Sequence, residues 1–181
     1  MDSTLVERIR AGDDGAFEAM FRDYYERLCL FTTGLVRSPE TAEEIVQEVF
    51  LNIWTNRHGW QVRSGIAAYL YGAARNRALN HLQHLKVERL HEERTVREAQ
   101  AFHAPGVPAA DDVLLRQQTA EAVRAAIEQL PERARLAVTL RWQHQLRHAE
   151  IAEVMGISVK GVENQLARAL VMLRRHLRPD S

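Results

Sequence analysis

The sequence has a single cysteine among 181 residues, no long apolar run and no excess of charge of either sign. With Cys29 alone an internal disulfide is excluded, which agrees with a reducing compartment. Flanked by Leu28, Leu30 and Phe31, this thiol reads as a small buried hydrophobe rather than a redox centre. The uncharged apolar stretches fall far short of the roughly 20 residues that a membrane helix requires. The opening MDSTLVERIR lacks the basic and apolar regions of a secretory leader, so the expectation is a cytoplasmic protein with no membrane insertion. Signatures of catalysis are missing as well. There is no Gly-rich phosphate loop, no nucleophile elbow and no pair of catalytic carboxylates on a recognisable scaffold, so no catalytic residue and no cofactor are expected. His81 with His84, and His144 with His148, have helical spacings that could each ligate one side of a metal. Neither pair has a Cys or carboxylate partner of standard spacing, so they read as surface histidines and no metal is expected.

The net charge of zero, 24 basic side chains against 24 acidic ones, hides an uneven distribution. Residues 1–85 carry nine basic and eleven acidic side chains, a net of −2, whereas residues 113–181 carry eleven and seven, a net of +4. A basic C-terminal part suits phosphate contacts, while a neutral whole points to a partner that supplements weak affinity for nucleic acid.

Alternating, strand-like patterns are nearly absent; apolar residues recur at 3.6 spacing, which predicts an all-α fold. Asp13 or Asp14 can cap a helix whose stripe is Phe17, Met20, Phe21, Tyr24, Leu28, Phe31 and Leu35. Ser38-Pro39 opens another, with Ala42, Ile45, Val46, Val49, Phe50, Ile53 and Trp54 on one face and Glu44, Glu48, Leu51, Asn52 and Thr55 opposite. RHGWQVRSG, residues 57–65, reads as a loop. A long helix then runs from about Ile66 through at least Leu85, with Leu70, Ala74, Ala78, Leu82 and Leu85 inward and Arg75, Asn76, Arg77 and Asn80 outward. The charge-rich stretch from Lys86 to Ala101 and the Pro-, Gly- and Ala-dense FHAPGVPAADD mark a boundary. The chain therefore divides into a helical domain at 1–95, a flexible linker at 96–112 and a second helical domain at 113–181.

In the second domain Asp111 or Asp112 can cap a helix bearing Leu114, Leu115, Ala122, Val123, Ala126, Ile127 and Leu130, and Pro131 starts another with Leu136, Val138 and Leu140. HAEIAEVMGIS then places Ala152 four residues before Gly156, and Val162 six residues after it, as a close helix crossing, a tight turn and an anchor on the next helix demand. These are the requirements of a helix-turn-helix. Ser158 is a natural N-cap; Val162, Leu166, Ala169, Leu170 and Leu173 form the stripe turned toward the domain. Lys160, Glu163, Asn164, Ala167 and Arg168 project the other way, with Gly161 and Gln165 at the flanks. Amides that pair with adenine and cations that reach guanine or phosphate suit major-groove reading.

Four ordered stretches carry a wider likeness: GDDGAFEAMFRDYYERL, PETAEEIVQEVFLNIW, AAYLYGAARNRALNHL, and LPERARLAVTLRW with HAEIAEVMGISVKGVENQLARAL. Over nearly its whole length the sequence resembles the extracytoplasmic-function (ECF) sigma factors of the sigma-70 family. The resemblance implies that the first domain is sigma region 2, which docks on the clamp helices of the largest subunit of core RNA polymerase and opens the minus-10 element. It implies that the second is region 4, which binds the minus-35 element of promoter DNA and meets the polymerase flap. It places the minus-35 contacts at Ser158, Lys160, Gly161, Glu163, Asn164, Gln165 and Arg168. The minus-10 contacts fall at Trp60, Arg63, Arg75, Asn76, Arg77 and Asn80, with a flipped-base pocket between the loop and the helix of Asn76 and Asn80. Trp60 fits either a base contact or a buried loop anchor. The docking face is Glu43, Glu44, Gln47, Glu48, Leu51 and Asn52, which on chemistry alone equally describes a solvated acidic helix face. Gln83, His84, Gly161, Glu163 and Gln165 stand where relatives carry other residues, so the likeness carries no promoter sequence with it. A monomer within the holoenzyme, and an anti-sigma factor as a possible further partner, complete the implied picture. The rival reading is a free-standing helix-turn-helix regulator.

Overall fold

The computed structural model describes residues 2–92 and 122–177, and among them there are helices but no strand. Helix α1 spans Asp2–Arg10. It ends at Gly12, whose φ of 86° lets the Asp13 amide reach back to the Arg8 carbonyl, closing the helix with a left-handed residue as glycine allows at little cost. Asp13 at once caps α2, Asp14–Val36, by accepting the Ala16 amide at 2.9 Å. Arg37 terminates α2 in the left-handed region, and Ser38 and Pro39 then start α3, Pro39–Thr55, with the Ser38 hydroxyl accepting the Thr41 amide. A short 3-10 turn, Arg57–Gly59, leads through an irregular segment to α4, Ile66–Glu92.

Helices α2, α3 and α4 pack around Met20, Leu28, Val46, Ile53, Leu70 and Tyr71. Phe17, Phe21 and Phe50 interlock at the end where α1 closes the bundle. Two expected inward positions prove otherwise. Leu85 is exposed because α4 outruns the bundle it packs against, and Cys29 is half-buried rather than enclosed. Burial of its thiol raises its pKa, the ordinary behaviour of an inert side chain.

The second domain begins, within the described residues, with a helix at 122–128, here α5. The expected cap at Asp111 or Asp112, with Leu114 and Leu115, lies outside those residues. Pro131 precedes α6, Glu132–Val138, which widens into a π turn at Thr139–Gln143 instead of continuing as an α-helix through Leu140. Helix α7, His148–Met155, and helix α8, Val159–Leu177, form the helix-turn-helix. Gly156, at φ 65°, makes the turn between them, and the Ile157 amide returns to the Ala152 carbonyl at 3.0 Å. Ile151, Ala152, Val162, Leu166 and Ala169 are buried as the spacing predicts, whereas Leu170, at 41% exposure, sits at the edge of the stripe.

The two domains are not held apart. Helix α4 packs against α7, and the apolar core runs from one domain into the other.

Candidate nucleic-acid and protein interfaces

Helix α3 presents Glu43, Glu44, Gln47, Glu48, Leu51 and Asn52 on one exposed face because the opposite positions are consumed by the core. Leu51 is 64% exposed in the midst of the carboxylates and amides. Glu48 accepts a hydrogen bond from Arg77 of α4 at 2.9 Å, so this face is braced against the next helix. The Gln47 amide reaches the Tyr25 hydroxyl, and Asn52 accepts from Asn56, which orders the lower rim.

On α4, Asn76 and Asn80 are exposed one turn apart, and Arg75 and Arg77 are half-buried beside them. Arg63 is exposed in the preceding segment. Trp60 is the exception among the expected minus-10 residues. It is only 4% exposed, and its ring stands edge-on to Tyr69 at 5.6 Å, so it is the loop's anchor and not an open stacking platform. Its indole is apolar enough to join the Ile53–Ile66 core, and that burial wins over display. Its buried Nε1 has no hydrogen-bond partner among the described residues. Trp60 lines a cavity of about 460 Å³ together with Asn52, Asn56, Gln61 and Tyr69. The cavity lies between α3, the loop and the first turn of α4, the helix that also carries Asn76 and Asn80. Arg57 stacks over Trp54 at 4.4 Å and donates to its carbonyl, stiffening the same segment.

On α8, the Ser158 hydroxyl accepts the Gly161 amide at 3.1 Å and so caps the helix. Lys160, Glu163, Asn164 and Arg168 are exposed, with Gly161 and Gln165 half-buried at the flanks. Lys160 pairs with Glu163 at 3.0 Å, which blunts the repulsion an isolated carboxylate would exert on a phosphate. An added Cβ at Gly161 would meet Ile157 and the Ser158 hydroxyl at 3.4 Å, so the flank is close-packed against the turn. Ahead of α7, Arg147 donates to the Glu150 carboxylate twice, from its backbone amide and from its guanidinium, fixing the entry to the helix-turn-helix.

His144 overturns the surface-histidine reading. It is 6% exposed, and its Nδ1 lies 2.8 Å from the Tyr71 hydroxyl of the other domain. Its ring stands edge-on to Phe31 at 5.5 Å, and its carbonyl accepts a hydrogen bond from Arg27. Burial, and then the Arg27 charge, push its pKa down to about 4. Burial likewise raises Tyr71 to about 12. Among the described residues no group of three His, Cys, Asp or Glu side chains could hold a metal, and no helix is long and apolar enough to cross a membrane.

Two family models match the chain: Sigma-70 region 2 over residues 20–87 and Sigma-70 region 4 over residues 120–173, together well over half of it. The chain is 29% identical to the RNA polymerase sigma-H factor of Pseudomonas aeruginosa, over 98% of this chain and 94% of that protein. It is 28% identical to the ECF RNA polymerase sigma-E factor of Haemophilus influenzae, over 98% and 96% of the two chains. In fold it is similar to the sigma factor RpoE from Bartonella quintana, solved in complex with the anti-sigma factor NepR. The TM-score is 0.64, with 18% identity over 91% of this chain and 98% of that one. The matched regions coincide with the two helical domains, and the chain belongs to the sigma-70 family as an ECF RNA polymerase sigma factor, a transcription initiation factor and not an enzyme.

Proposed function

We propose that the three exposed faces divide the work of this sigma factor between polymerase and promoter. The observation that carries this reading is their segregation on three separate helices. An acidic face centred on Leu51 lies on α3, an amide and guanidinium face on α4, and a mixed amide and cation face on α8. The α3 face, Glu43, Glu44, Gln47, Glu48, Leu51 and Asn52, docks on the clamp helices of core polymerase, its carboxylates complementing basic groups and Leu51 filling the apolar centre. Arg63, Arg75, Asn76, Arg77 and Asn80 hold the opened minus-10 strand by backbone charge and by hydrogen bonds to unpaired bases. Ser158, Lys160, Gly161, Glu163, Asn164, Gln165 and Arg168 enter the major groove of the minus-35 element, with region 4 resting on the polymerase flap.

Region 2 then corresponds to 1–95, the linker to 96–112 and region 4 to 113–181. The protein works in the cytoplasm as one copy per holoenzyme, and an anti-sigma protein masks it, as NepR is bound to its relative. The test is the replacement of Asn164, Gln165 and Arg168 together by Ala. Affinity of the holoenzyme for a promoter carrying the minus-35 element falls by at least about tenfold, while binding of the chain to core polymerase is unchanged. Equal loss of both activities refutes the assignment.

A further inference from the structure

The exposed face of α8 carries a carboxylate at its centre. Val159 and Lys160 stand one turn before Glu163 and Ala167 one turn after it, and all four are exposed. A carboxylate in that place meets the phosphates of any duplex the helix enters, and it weakens binding unless a base in the groove donates to it. Part of the repulsion is met within the helix. Lys160 Nζ lies 3.0 Å from Glu163 Oε2, while Glu163 Oε1 takes no hydrogen bond among the described residues.

Gly161 sets how near the bases can come. It lies in the first turn of α8 with a φ outside the left-handed region, and a Cβ built on it would come no nearer than 3.4 Å to Ile157 and Ser158, contact without overlap. Neither backbone geometry nor crowding demands glycine there, so the helix bears a loss of propensity that its own folding does not explain. What the missing side chain leaves is bare backbone beside Lys160 and Asn164. DNA can approach it closely enough for a side chain as short as Glu163 to reach a base edge rather than a phosphate.

Donor and acceptor count then selects the base pair. A carboxylate only accepts hydrogen bonds and an ammonium only donates them. In the major groove a C·G pair sets the N4 amino donor of cytosine beside the O6 and N7 acceptors of guanine, so one pair satisfies Glu163 Oε1 and Lys160 together. Lys160 has three N–H donors and keeps Glu163 Oε2 while it reaches guanine. Guanine or thymine opposite the carboxylate would set acceptor against acceptor. Adenine offers its N6 donor with the N7 acceptor beside it, a pattern matched by amides, and α8 holds Asn164 and Gln165 for that.

We infer that Lys160 and Glu163 act as one unit that reads a single C·G base pair in the minus-35 element, Glu163 accepting from cytosine N4 and Lys160 donating to guanine. The inference rests on the region 4 reading proposed above and adds the base pair to it.

The test uses holoenzyme assembled with the full chain and a pool of promoters randomised across the minus-35 element and constant elsewhere. Wild-type holoenzyme enriches C·G at one position by at least about tenfold over the other pairs. Glu163→Gln, whose amide presents a donor beside an acceptor, shifts the ratio of A·T to C·G at that same position by at least about tenfold and leaves the other positions within about twofold of wild type. Lys160→Met lowers the C·G preference at that position, whereas loss of a lysine from a phosphate weakens all sequences alike. Both side chains are exposed, and unchanged thermal melting excludes a folding defect as the source. Upstream preferences that include no C·G pair, preferences unchanged at every position in Glu163→Gln, or a sequence-independent loss in Lys160→Met overturns the paired reading alone. Wild-type holoenzyme that initiates from the pool with no preference at any upstream position overturns the region 4 assignment and the inference with it.

Discussion

Acidification should open this molecule before it unfolds either domain, and the size of the effect follows from His144. In the packed state its pKa lies at about 4, chiefly because the imidazolium would be buried and secondarily because Arg27 is close. Once the domains part, the ring returns to its ordinary value of 6.5. A depressed pKa means that the neutral ring contributes fully above pH 6.5 and that its contribution is lost as pH falls toward 4. At pH 5 the open form is favoured by a further factor of about 30, about 2 kcal/mol. The groups facing the ring are Arg27 and Phe31 from α2 and Tyr71 from α4, and burial holds Tyr71 far above this range. Tyr71 acts at the other extreme: its pKa is raised to about 12, so its contribution is intact below pH 10 and is lost as pH rises from 10 to 12. The packed state therefore has a plateau of stability between about pH 6.5 and 10. Inter-domain energy transfer measured from pH 7 to pH 5 reads the acid limb directly, and a His144→Asn chain, which cannot titrate there, subtracts the background of carboxylates. An open fraction that is the same at pH 5 and pH 7 in the wild-type chain, or that rises equally in His144→Asn, refutes the reasoning.

Gln145→Gly removes the cost of a left-handed non-glycine residue whose side chain is exposed; a gain of about 0.5–1 kcal/mol in region 4 is expected, and a lower urea midpoint contradicts it. Leu51→Asp lowers affinity for core polymerase by at least about tenfold while stability stays within about 0.5 kcal/mol of wild type, because the side chain is exposed. Native gel titration against core enzyme, alongside thermal melting, checks both halves of that statement.

The helices of the first domain are legible from sequence where a cap and a stripe agree. Asp13 and the pair Ser38-Pro39 announce α2 and α3, and the buried faces follow by spacing. Helix α1 carries no such signal, because its nine residues turn only Val6 and Ile9 fully inward, too few for a period to emerge. Trp60 is ambiguous in sequence because indole serves equally as an anchor and as a base platform; its burial and its contact with Tyr69 are tertiary facts. His144 escapes a sequence reading for a different reason. Its partners lie 73 residues away at Tyr71 and 117 away at Arg27, and no local pattern encodes such a contact. The one local trace is Gln145, at a position whose backbone favours glycine, and a single sequence does not reveal that requirement.

A neutral sigma factor that also closes on itself limits stray DNA binding twice over. Zero net charge removes most of the counterion-driven affinity. Closure then raises the apparent dissociation constant by the reciprocal of the open fraction, about 100-fold if one molecule in about 100 is open. Core polymerase must invert that ratio, and moving about 99:1 closed to about 1:99 takes a preference for the open form of about 10⁴. Divided between two docking contacts, one on each domain, the requirement is about 100-fold each, or about 2.7 kcal/mol, well within the reach of a single desolvated interface centre. A lone contact on region 2 would have to supply all of it, so a chain whose region 4 cannot meet the flap should bind core enzyme and still remain closed.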